Sequence, residues 1–195
     1  MKKKYAHFKD DFFEKENTEE EIRAYIDTHI LELSHWELIF VNQNLSEEFI
    51  REFQDKVDWE EISWYQNLSE SFIREFQDKV NWRWISMRQI LSEEFIREFQ
   101  DKVDWNEITV NQKLSEDFIR EFQDKVNWNF ISEYQKLSEE FIREFQDKVD
   151  WEEISKHQSI STKFANEFQD KINWENFNEN KNKRIKKNLE NLLAD

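Results

Sequence analysis

The side chains best suited to chemistry or recognition fall in trios three and one residues apart. They are Glu61, Trp64 and Tyr65; Trp84, Met87 and Arg88; Glu107, Val110 and Asn111; Phe130, Glu133 and Tyr134; and Glu153, Lys156 and His157. Such offsets place each trio on one face of a helix. Aromatic, methionine and arginine side chains gathered on a face are the chemistry of protein–protein contact. Catalysis would need polar groups converging in a pocket, and no Ser-His-Asp arrangement is present. The four histidines, His7, His29, His35 and His157, share no metal spacing, and there is no Cys to supply a thiolate. Carboxylate pairs such as Glu47 and Glu48 recur, but at helix starts that face solvent. The expectation is a non-enzyme without catalytic residues, metal or cofactor.

A repeat carries these trios. The stretch LSEEFIREFQDKVDWEEISWYQN, Leu45 to Asn67, returns at Leu68, Leu91, Leu114 and Leu137, each time 23 residues on. A worn copy runs from Ile160 to Asn182, and a fainter one from about Ile22 to Asn44, marked by Trp36, Ile39 and Gln43. A fixed period of this size is the signature of stacked repeats. Within a copy, Ser46 can cap a helix whose first turn holds Glu47 and Glu48, with Leu45 and Ile50 as a staple. Val57, Asp58, Glu61 and Ile62 repeat the staple, cap and box. Two helices per copy follow, over about 46–57 and 58–66, with a Trp–Ile stripe turned inward. Helices this short are marginal alone, so neighbouring copies must share their burial. The predicted fold is all-α: a right-handed-type α-solenoid of two-helix repeats, capped by helices at both ends. It forms one repeat domain over 1–195: residues 1–44 as N-terminal cap and degenerate repeat, 45–159 as five full repeats, 160–182 as a degenerate sixth, and 183–195 as a capping helix. Phe8, Phe12 and Phe13 would cover the first repeat, and Leu189, Leu192 and Leu193 would give the last helix an apolar edge.

Comparing copies separates scaffold from surface. The apolar frame is constant, as are Arg51, Glu52, Gln54, Asp55, Lys56 and their equivalents. Arg51 with Asp55 and Glu52 with Lys56 have the spacing of ion pairs along one helix. Ladders between adjacent copies are the alternative, and the recurring Gln and Asp could satisfy backbone groups at the junctions. The second-helix cap alternates between Asp and Asn, and each Asp copy restores a Glu three residues on. The trios vary from copy to copy, whereas core positions hardly do. Stacking would line the trios into a strip, although Trp64 and Trp84 could equally plug gaps between repeats.

The phrase LSEEFIREFQDKV(D/N)W..IS.YQ resembles the short tandem helical repeats of proteins from large DNA viruses, some phages and some bacteria. The likeness covers Leu45 to about Trp174. It implies an α-helical repeat protein of viral or mobile-element origin that is directed at a host protein, and it brings no catalytic residues with it.

Composition narrows the classes further. Gly and Pro are both absent, which removes phosphate-binding loops, dinucleotide fingerprints and favoured hairpin turns. The net charge of -16 disfavours DNA or RNA as a direct ligand and favours basic partners. No apolar run approaches the roughly 20 residues of a membrane span. A cytoplasmic protein, monomeric or weakly self-associating, is expected. Two functions fit: a protein-binding scaffold that inhibits or redirects its partner through the variable strip, or an acidic nucleic-acid mimic blocking a basic protein such as a nuclease or immune effector.

Overall fold

Every copy folds alike because it carries the same local signals. Its Ser stands in extended backbone and accepts a hydrogen bond from the N–H of the Phe three residues on, as Ser69 does from Phe72 at 3.2 Å. Its Asp or Asn does the same for the second helix: Asn81 Oδ1 accepts from the N–H groups of Arg83 and Trp84. These caps satisfy donors that a helix start leaves unpaired.

A computed structural model of the protein describes residues 12, 15–29 and 33–192, without the side chains of 33, 34, 42, 188, 189, 191 and 192. Expectations placed on His7, Phe8, Phe13 and Leu193, and on the side chains of Leu189 and Leu192, lie outside the described residues. Among those residues there are fourteen α-helices and no strand. They are α1 (Glu19–Thr28), α2 (Leu33–Asn42), α3 (Glu47–Glu52), α4 (Trp59–Tyr65), α5 (Glu70–Glu75), α6 (Trp82–Arg88), α7 (Glu93–Glu98), α8 (Trp105–Asn111), α9 (Glu116–Glu121), α10 (Trp128–Tyr134), α11 (Glu139–Glu144), α12 (Trp151–His157), α13 (Thr162–Glu167) and α14 (Trp174–Leu192). Regular helix pairs stacked on their neighbours make this an all-α helical solenoid.

The first helices are shorter than the spacing predicts. From α3 on, each ends at Glu, with Phe as its C-cap, and the chain then tightens into turns (Lys79 N–H to Phe76 O, 2.9 Å). The indole of the next helix explains the stop. Trp82 Nε1 donates to the carbonyl of Gln77 at 2.9 Å, and Trp105, Trp128 and Trp151 do likewise to Gln100, Gln123 and Gln146. An acceptor that a longer helix would have used is thereby satisfied, and Val80, Val103, Val126 and Val149 turn inward.

Contacts divide the chain into two units, Met1–Leu91 and Ser92–Asp195. In the first, α2, α4 and α6 pack in a row. Phe49, Ile50, Ile62, Phe72, Ile73 and Ile85 are fully buried. Trp59 bridges copies by packing on Phe76 of the next one, with ring centroids 4.7 Å apart. The degenerate copy begins earlier than Ile22. Thr18 caps α1 in a full capping box with Glu21, Glu19 accepts from Ser46 N–H, and Arg23 donates to Glu52 at 2.6 Å. These are the roles that Ser, Glu and Arg play in α3, α7, α9 and α11, so α1 is the first helix of that copy. Phe12 stacks on Tyr25 at 4.2 Å.

In the second unit, α8, α10, α12 and α14 pack in succession. Phe95, Phe118, Phe141 and their neighbouring isoleucines are fully buried, and Trp105, Trp128 and Trp151 each pack on the Phe pair of the following copy. The chain does not break at residue 183. The second helix of the sixth copy and the C-terminal segment form the single helix α14.

Several recurring bonds join the copies. Arg51 Nε donates to Glu75 Oε2 at 2.7 Å, 24 residues on, and Arg97, Arg120 and Arg143 repeat this with Glu121, Glu144 and Glu167. The expected pairs along one helix give way to this ladder, because α3 ends at Glu52 and leaves Asp55 and Lys56 in the turn. Lys79, Lys125 and Lys148 reach back to Gln54, Gln100 and Gln123. A buried Gln closes the junctions within each unit. Gln66 Nε2 donates to the carbonyls of Phe40 and Gln43, while its Oε1 accepts from Leu45 N–H. Asn180 takes over this task from α14, donating to Gln158 O at 2.9 Å.

Candidate interaction surface

The fourteen residues expected on the strip are Glu61, Trp64, Tyr65, Trp84, Met87, Arg88, Glu107, Val110, Asn111, Phe130, Glu133, Tyr134, Lys156 and His157, and none of them is buried. All lie on second helices, whose opposite faces hold the fully buried isoleucines. The second helices α4, α8, α10 and α12 are clamped from both sides through an inner Ser or Thr. Ser132, for example, donates to Trp128 O and accepts from the N–H of Asp150 in the next copy. That second bond occupies the backbone donor that a box with Glu153 would have used. Glu153 is therefore not a capping-box partner and faces His157 instead.

In the first unit the strip is aromatic. Trp64 and Trp84 meet edge to face, centroids 4.3 Å apart at 77°, and Tyr65 flanks Trp64 at 6.3 Å. The two tryptophans thus bridge adjacent copies while staying half-exposed, so they act as gap filler and surface at once. Arg88 lies 5.0 Å from the Trp64 ring centre, and its Nε donates to Trp64 O. Met87 is half-buried beside Arg88 in sequence. A cleft of about 180 Å³ opens here, lined by Glu60, Glu61, Trp64, Tyr65 and Trp84. Glu60 was not among the expected residues. Its position varies through Arg83, Asn106, Asn129 and Glu152, a signal visible in the copies themselves. Ile90, almost wholly exposed at 97 %, was missed as well; other copies carry Asn, Lys or Ser there.

In the second unit the strip is more polar. Asn111 Nδ2 donates back to Glu107 O at 2.9 Å, and Val110 is half-buried. Phe130 and Tyr134 meet at 6.0 Å, with Tyr134 half exposed. A hydrogen bond to Glu133, reinforced by its charge, raises the Tyr134 phenol above its ordinary pKa. His157 Nε2 lies 3.1 Å from Glu153 Oε2, and Lys156 Nζ lies 3.8 Å from the same oxygen. The His157 contact is close but misdirected, leaving that buried oxygen without a formed hydrogen bond. Glu133, Glu153 and His157 present ligand atoms within 4.8 Å of one another, so this is the set of described side chains able to hold a metal ion. Histidine spacing alone could not reveal it, because two of its three ligands are carboxylates and one comes from the neighbouring copy.

No family model, no curated protein and no solved structure matches the chain. No described helix is long and apolar enough to cross a membrane.

Proposed function

We propose that this protein is a non-enzymatic scaffold that binds another protein through the variable faces of its second helices. The observation that carries this reading is a division of labour. Side chains that recur in every copy make the core and the bonds between copies, whereas those that change lie outside the core. Trp, Tyr and Arg are the residue types that most often dominate binding energy at protein contacts, and Met is enriched there. The resemblance of the repeat to viral and phage sequences adds that the partner is a host protein in the cytoplasm, bound to inhibit or redirect it.

The competing reading, an acidic mimic of nucleic acid, draws on the net charge of -16. Against it, many carboxylates of the first helices are tied to arginines of neighbouring copies and do not form a free lattice. The test is capture of a crosslinked partner by the parent and by a Trp84→Ala, Arg88→Ala, Tyr134→Ala triple variant, with circular dichroism to verify folding. Loss of capture by a folded triple variant is expected, and full capture would refute the scaffold reading. Salt separates the two readings, since an aromatic contact persists at salt concentrations that screen a charge mimic.

A further inference from the structure

We propose that the cleft between α4 and α6 receives one arginine side chain, presented by a basic segment of the partner. This rests on the binding reading above and assigns the partner a chemistry. The walls are three aromatic rings and two carboxylates, Glu60 and Glu61, and none of the lining residues is basic. Size limits the occupant. Pockets for cofactors and drug-sized ligands run to roughly 300–1,000 Å³. The cleft, at about 180 Å³, holds the equivalent of about six waters at ~30 Å³ each, which suits a single side-chain head group.

Charge and π chemistry then select the head group. Aromatic faces carry negative potential and attract cations, Trp most strongly and Arg most often. The protein already uses this property: Arg88 sits 5.0 Å from the Trp64 centroid and Arg83 sits 5.5 Å from that of Trp84. Neither arginine is among the residues that line the cleft. The two indoles stand nearly perpendicular, forming a corner and not a flat wall. Trp84 Nε1 lies 3.4 Å from Glu60 Oε1, which places a carboxylate at the rim of that corner. A guanidinium entering there meets ring faces with its plane and carboxylates with its N–H fork.

The chain supplies its own control. Between α8 and α10 the equivalent positions are Asn106, Glu107, Val110, Asn111 and Phe130. That site has lost both tryptophans, the tyrosine and one carboxylate.

The test titrates acetyl-Gly-Arg-Gly-amide into the full chain while the tryptophan indole N–H signals are followed by NMR, each assigned by a single Trp→Phe variant. The matched peptide with citrulline has nearly the same shape and no charge. The Trp64 and Trp84 signals are expected to move saturably with the arginine peptide, with the citrulline peptide binding about tenfold more weakly or less. A Glu60→Gln, Glu61→Gln variant should weaken arginine binding by about tenfold, and Trp84→Leu should remove it. Equal binding of the two peptides, indifference to the Glu→Gln changes, or equal movement of the Trp105 and Trp128 signals would each overturn the inference, as would no saturable shift. This failure is distinguishable from failure of the scaffold reading. A cleft that ignores arginine while the triple variant still loses capture sinks only the inference; a cleft that takes arginine while capture is unchanged sinks the scaffold.

Discussion

Gln135 is buried, and its amide makes three hydrogen bonds at once. Its Nε2 donates to Thr109 O at 2.7 Å and Gln112 O at 2.8 Å, and its Oε1 accepts from Leu114 N–H. A buried amide with donors and acceptor all satisfied contributes modestly, but removing it strands its partners. Gln135→Leu is expected to destabilise the protein by at least about 3 kcal/mol, since it strands three groups and each buried group left unpaired costs roughly 1–3 kcal/mol. The urea midpoint, with the slope unchanged, measures this. The role was only half legible beforehand. The recurrence of Gln is plain in the sequence, and a junction role for recurring Gln such as Gln54 is readable from it. Which Gln does so depends on which backbone groups stacking brings within reach, and no spacing within one copy contains that. The Arg–Glu pairs show the same limit. Arg51 has Asp55 four residues on and Glu75 24 on, and the early end of α3 at Glu52 turns it to Glu75.

At the level of elements, caps and buried stripes were readable because they depend on neighbours along the chain. Ser46 and Asp58 cap where expected, while the first helices stop early because the Trp indoles intervene across five residues. The cleft was not readable: Trp64 and Trp84 lie 20 residues apart and meet only because α4 and α6 abut. One link between elements is sensitive to acid. Burial works to raise the pKa of Glu19, but hydrogen bonds from Ser46 and Arg23 outweigh it and hold the carboxyl below its ordinary 4.5. A carboxyl lowered on folding stabilises fully above its unfolded value and loses that contribution as pH falls through the folded one. The melting-temperature difference between the parent and Glu19→Gln should therefore be constant from pH 7 to about 5 and shrink below 4.5. A difference that grows on acidification would contradict the assignment.

For the whole molecule, bonds between copies recur at near-constant offsets, so stability should behave as a sum of units and nearest-neighbour junctions. Deleting residues 114–136 removes one copy and joins Lys113 to Leu137 in register. The shortened chain is expected to keep the parent's helicity per residue, with a lower urea slope because less surface is exposed on unfolding. It should also melt earlier, having lost one junction. Circular dichroism with urea titration checks both, and collapse to a coil signal would mean that the copies are not interchangeable.

The backward reach of the buried Gln side chains also sets an order of events during synthesis. The carbonyl of Gln43 waits for an amide carried by Gln66, and that of Gln66 for one carried by Gln89. A copy leaving the ribosome therefore stays unsealed at its trailing edge until about one more copy has followed it out. Release of native structure along the nascent chain would come in steps, always one unit behind translation.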